Sequence, residues 1–131
     1  MVGLVIVSHS ATLAEGVAEL ARGVGEAGAR IEVAGGLEEP GALGTDATRV
    51  VAAIEQADQG DGVVVLMDLG SAVLSAEMAL DLMPTLRQNI RLADAPFVEG
   101  AVAAAVEASL GSELAAVLAA AEAARGQSKL P

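Results

Sequence analysis

Two uninterrupted runs of aliphatic residues dominate the chain, Val2-Gly3-Leu4-Val5-Ile6-Val7 and Val63-Val64-Val65-Leu66-Met67. Each is short and closed by turn-forming residues, Ser8-His9-Ser10 after the first and Asp68-Leu69-Gly70-Ser71 after the second. Continuous hydrophobicity, without the alternation of a half-exposed strand, is expected where a strand is covered on both faces. Such strands belong to parallel sheets flanked by helices.

The intervening segments agree. Ala11 to Gly25 places Leu13, Val17, Leu20, Ala21 and Val24 on one helical face, with Glu15, Glu19 and Arg22 elsewhere. Arg30 to Ala34 alternates weakly and reads as a second strand ending at Gly35-Gly36. Thr45 or Asp46 can cap a helix running to about Gln59, with Val50, Val51 and Ile54 inward. A helix is expected from about Ala72 to Met83, closed by Pro84, then a short strand within Asn89–Ala93. Helices over Phe97–Leu110 and Ser112–Arg125, divided by Gly111, complete one domain over residues 1–125, with a frayed tail at 126–131. Met67, Met78 and Met83 read as core filler.

Strand and helix alternate from the start, so the expected fold class is α/β, a three-layer sandwich with a mostly parallel sheet and helices on both faces. Right-handed crossovers around a central first strand give the order 2-1-3-4. That order makes the first and third strands neighbours. Their carboxyl ends then bring His9 and Asp68 side by side at the switch point, where open α/β sheets bind ligands.

Composition removes several function classes. Seven Lys plus Arg against eighteen Asp plus Glu give a formal charge of −11, which repels nucleic-acid backbones and anionic lipid. Cysteine is absent, so disulfides, thiolate zinc sites and thiol nucleophiles are excluded. Val2–Val7 lacks the basic flank and length of a signal peptide, and Val98–Ala120 is interrupted by Glu99, Glu107 and Glu113. A cytoplasmic protein without a membrane role is expected. No Walker or nucleophile-elbow sequence is present; Gly23–Gly28 has the GxGxxG spacing but ends a helix where a dinucleotide site would open one.

His9 is the single histidine and directly follows a buried strand. It can serve as base, metal ligand or nucleophile, or simply satisfy one hydrogen bond at a strand end. A metal site is not expected, because no second His and no Cys can join it. Asp68 can orient one ring nitrogen of His9 or cap the helix that follows. Gly70 and Ser71 lie at a helix start, where free amides and a hydroxyl favour an anion, or simply make an ordinary strand-to-helix turn. Gly36 and Thr45 stand on the opposite flank as weaker phosphate-binding candidates, while Ser8 and Ser10 can satisfy backbone groups.

With these residues in view, Leu4–Ser10, Gly44–Thr48, Gly62–Leu82 and Ala95–Ala101 resemble the mannose-type enzyme IIA family of the phosphoenolpyruvate-dependent phosphotransferase system. Within it, the Asp68–Ala72 and Ala95–Ala101 blocks are similar to the phosphotransferase subunits of bacterial dihydroxyacetone kinases. The resemblance implies a phosphohistidine at His9, formed on the nitrogen remote from the backbone, with Asp68 as its orienting residue. It implies HPr as donor, ADP on the kinase's nucleotide-binding subunit as acceptor, a homodimer, and no cofactor. Some members append HPr-like and enzyme-I-like domains; with the chain read to Pro131, HPr is expected from elsewhere. An enzyme IIA role in a sugar transporter is the alternative. A receiver-like domain phosphorylated on Asp68 fits less well, since Ser8-His9-Ser10 replaces the acidic cluster that would hold magnesium.

Overall fold

The computed structural model describes residues 1–25 and 28–131; Glu26 and Ala27, within the Gly23–Gly28 stretch, lie outside the described residues. Four strands, β1 (Gly3–Ser8), β2 (Ile31–Gly35), β3 (Val63–Met67) and β4 (Ile90–Leu92), form one parallel sheet in the order β2-β1-β3-β4. This is the order expected from the sequence. The helices are α1 (Ala11–Val24), α2 (Ala47–Ala57), α3 (Gly70–Asp81), α4 (Phe97–Ser109) and α5 (Leu114–Ala123).

The two-fold period of the strands divides the core. Val2, Leu4 and Ile6 face one way with Val64 and Leu66, against α1, α4 and α5. Val5 and Val7 face the other way with Val63 and Val65, against α2 and α3. Both faces of β1 and β3 are thus covered, which is why neither run alternates. Alanine dominates the first helical layer: Ala14, Ala18, Ala21, Ala101, Ala104, Ala105, Ala108 and Ala121 are buried there. Side chains this small let helices and sheet approach closely, and a core of short, nearly rotamer-free residues loses little side-chain entropy on folding.

Ser10 caps α1 by accepting from the Leu13 amide at 3.1 Å, and Asp46 caps α2 by accepting from the Thr48 amide at 2.9 Å. Asp46, not Thr45, is therefore the capping residue. Boundaries differ from the sequence reading by one to three residues at most ends, as fraying termini do. In particular, α3 begins at Gly70 and closes before Pro84, and β1 extends through Ser8.

The face of α1 is a correction. Leu13, Leu20 and Val24 are exposed, whereas Ala14, Val17, Ala18 and Ala21 are buried. The two stripes overlap at Val17 and Ala21, and hydrophobicity favours the one bearing leucine. The narrower alanine stripe wins because it lets α1 lie close to β2 and α4. Met78 is likewise exposed on α3, while Met83 is buried and Met67 packs at the core's edge.

Gly35 shows how tight the approach is. A Cβ there would stand 2.8 Å from both Ala11 Cα and Ala14 Cβ, at the first turn of α1. Gly35→Ala must therefore displace that turn. We expect a loss of about 1–3 kcal/mol in stability, the usual penalty of overpacking, measured by urea denaturation followed by circular dichroism.

Candidate functional site

The site is built at the carboxyl ends of β1 and β3. Val7 pairs with Met67 in parallel register, and the Asp68 amide donates to the Val7 carbonyl at 3.2 Å. The two chains therefore leave the sheet at the same level, one turning into α1 through His9 and the other into α3 through Asp68. His9 and Asp68 meet there, as the strand order predicted.

Asp68 is bound from several directions. Its Oδ1 accepts from His9 Nδ1 at 2.9 Å and from the Leu69 amide at 2.7 Å. Its Oδ2 accepts from the His9 amide at 3.0 Å and from the Ser8 hydroxyl at 2.9 Å. The Asp68 side chain is only 9% exposed, that of His9 25%. The helix-cap alternative for Asp68 is not what the structure contains: Leu69 occupies the cap position of α3, without a side-chain cap bond, and the carboxylate is shared among His9, Ser8 and the Leu69 amide.

These bonds settle the imidazole. An ionised carboxylate can only accept, so the hydrogen bond to Oδ1 places the proton on Nδ1 and leaves the Nε2 lone pair available. Nε2 contacts the Ser71 hydroxyl, which donates to it in this tautomer. Gly70 and Ser71 begin α3, and among the described residues their amides have no hydrogen-bond partner. Unpaired amides and the helix dipole make this an anion-favouring end, directly beside Nε2.

Gly36 and Thr45 serve differently. The Gly36 amide donates to the Ser8 carbonyl at 3.1 Å, and φ is +69° there. The Thr45 hydroxyl lies 2.6 Å from that of Ser75, on α3. The Thr45 hydroxyl also lies 3.5 Å from the Ser71 carbonyl oxygen, so both residues are engaged in the frame of the site. The same loop is tied down by the Gly44 amide, which donates to the His9 carbonyl at 2.8 Å. Ser8, which the sequence offered only as a partner for backbone groups, is the contributor that sequence reasoning undervalued; its position one residue before His9 on a buried strand was the available signal. His9 and Asp68 are a pair: among the described residues no group of three His, Asp or Glu side chains gathers to hold a metal.

Partial burial pushes the Asp68 carboxyl up, but the donors from the His9 amide, the His9 ring, Ser8 and Leu69 outweigh it and hold the group below its ordinary value of 3.8. A carboxyl whose folded-state value is depressed stabilises the fold above its unfolded value, and that stability is lost as pH falls through the folded value. The stability gap between the wild type and Asp68→Asn is therefore expected to be full above pH 3.8 and to shrink below it. Urea unfolding of both proteins across the acid range checks this; a constant gap would contradict it.

Relatives place this geometry in context. The PEP-dependent dihydroxyacetone kinase phosphoryl donor subunit DhaM of Klebsiella michiganensis is 50% identical over 115 residues, which cover 86% of this chain and 24% of that protein. The Escherichia coli K12 protein of the same description is 49% identical over 117 residues, covering 87% and 25%. The chain thus spans about a quarter of the length of these two relatives. A DhaM of Listeria innocua, from PEP-dependent dihydroxyacetone kinase 2, is 38% identical over 120 residues and is matched over 94% of its own length. The crystal structure of a protein of unknown function, EF1359, superposes with a TM-score of 0.83 at 32% identity, covering 99% of this chain and 98% of the other. The family described as the PTS system fructose IIA component matches residues 3–118. By that match, and with the sheet and the histidine turn described above, the chain belongs to the EIIA-man family.

Proposed function

We propose that this protein is a phosphoryl carrier whose phosphorylated atom is His9 Nε2. The observation that carries the reading is the Nδ1–Asp68 bond, which leaves Nε2 facing the Ser71 hydroxyl in the first turn of α3. Asp68 acts as the positioning carboxylate, fixing the tautomer and stabilising positive charge on the ring while phosphoryl is in flight. The Ser71 hydroxyl rotates off Nε2 as phosphoryl arrives and then donates to a phosphoryl oxygen, alongside the Gly70 and Ser71 amides. Gly36 and Thr45 hold the opposite flank in place.

Acceptance breaks the bond between phosphorus and the donor and forms P–Nε2; delivery breaks P–Nε2 and forms a P–O bond on the acceptor. Transfer of this kind needs alignment and charge neutralisation more than covalent assistance, and a helix N-terminus with a hydroxyl supplies both. The net charge of −11 supports dependence on these local donors, because the rest of the surface repels phosphate.

The DhaM relatives support the kinase assignment for donor and acceptor. In this reading HPr phosphorylates His9, and ADP bound to the nucleotide-binding subunit of dihydroxyacetone kinase receives the phosphoryl group as ATP. The protein works in the cytoplasm as a homodimer. No helix among the described residues is long and apolar enough to cross a membrane. The family's description as a fructose IIA component favours one second reading, in which the acceptor is a sugar-permease domain.

His9→Ala is expected to fold and to lose all labelling by phosphoenolpyruvate, enzyme I and HPr; undiminished labelling would overturn the assignment. The label should survive base and be lost in acid, the behaviour of phosphohistidine and the opposite of an acyl phosphate in base. Asp68→Ala should label at His9 about 10–100-fold more slowly, by analogy with other residues that orient a reactive histidine. Mixing the labelled protein with the nucleotide-binding subunit and ADP should yield ATP. Transfer to a sugar-permease domain with no ATP would favour the transporter.

A further inference from the structure

Ser8 is fully buried, and among the described residues it is the one polar residue in the core. A hydroxyl placed at the end of an otherwise apolar strand costs stability unless both its donor and its acceptor functions are used. Both are. Ser8 Oγ accepts from the Ser10 amide at 3.0 Å and lies 2.9 Å from Asp68 Oδ2. An amide can only donate, so its hydrogen takes an Oγ lone pair and the hydroxyl's own hydrogen is directed at the carboxylate. The contact is a local side-chain turn that bends the chain from β1 into α1, with His9 between the two serines.

The consequence for the site follows from the geometry of Asp68. Its Oδ1 receives His9 Nδ1 and the Leu69 amide, and its Oδ2 receives the His9 amide and Ser8. Apart from the imidazole it serves, Ser8 is the side chain that holds this carboxylate. The Leu69 and His9 amides hold one oxygen each, and both belong to the turns that this carboxylate braces. Ser8, on the buried strand, adds the second donor on Oδ2 and so anchors the carboxylate plane, and with it the direction in which Oδ1 meets Nδ1, to the sheet.

We infer that Ser8 is a positioning residue for phosphoryl transfer: its hydroxyl, aimed by the Ser10 amide, sets the Asp68 carboxylate that holds His9 with Nε2 outward. The inference rests on the reading of His9 as the phosphorylated residue, but its first test does not. In Ser8→Ala, nitrogen-15 resonances of the unphosphorylated His9 ring are expected to move toward the tautomer protonated on Nε2, while circular dichroism stays native. Ser8→Cys, close in size and a poor donor, should shift them the same way, and Ser8→Thr should restore the wild-type pattern. The second test is a mutant cycle on the labelling rate. Ser8→Ala should slow labelling about tenfold in the wild-type background, as loss of a hydrogen bond to a charged group does. It should cost almost nothing further in Asp68→Ala, because a residue acting through Asp68 has nothing left to position.

An unchanged ring signature in folded Ser8→Ala and Ser8→Cys would overturn the proposal. So would a full tenfold loss in the Asp68→Ala background, which would mark Ser8 as a builder of the strand–helix turn alone. Absence of labelling in the wild-type protein would instead count against the phosphoryl-carrier reading, and the tautomer measurement would still decide the role of Ser8.

Discussion

The parallel register between β1 and β3 is the constraint from which the rest of the site follows. With Val7 opposite Met67, the residues after each strand leave the sheet at one level, and the Asp68 amide can still pair with the Val7 carbonyl. A slip of one residue would exchange the two faces of a strand and send the core valines toward the wrong helical layer. Because both layers are close-packed around particular side chains, such a slip is penalised by misfit of their sizes. Packing among residues that perform no chemistry thereby fixes where an imidazole meets a carboxylate.

Helix placement extends the same logic. The turns that leave β1 and β3 become α1 and α3, so the beginnings of both helices lie beside His9. The alanine layer lets α1 approach the sheet, and Gly35 removes the Cβ that would push its first turn away. Close packing here leaves little room for the turn bearing His9 to move. The acidic body makes this local arrangement more consequential for the proposed reading, since a formal charge of −11 disfavours an anion over the general surface while the start of α3 leaves amides unpaired.

Hydrogen-bond polarity then decides the chemistry. Ser10 donates to Ser8, Ser8 and His9 donate to Asp68, and Ser71 donates to the remaining ring nitrogen. Each step leaves the next group a single role. Inside a partly dry site such a chain is stronger than its separate links, because each bond polarises its neighbour.

The sequence by itself determined the class of fold, the strand order and the meeting of His9 with Asp68. Uninterrupted valine runs have few places to go, and right-handed crossovers leave few topologies. It did not determine which stripe of α1 is buried, because Leu13 and Ala14 differ in hydrophobicity while burial depends on how closely neighbouring elements approach. Nor did it separate Gly70 and Ser71, whose amides remain unpaired at the helix end that meets Nε2 through the Ser71 hydroxyl, from Gly36 and Thr45, which bond within the frame. Hydrogen-bond partners far apart in the chain are set by tertiary geometry. Only that geometry turned Ser8 from a strand-end residue into a donor to Asp68, since the direction of a hydroxyl depends on a carboxylate sixty positions away.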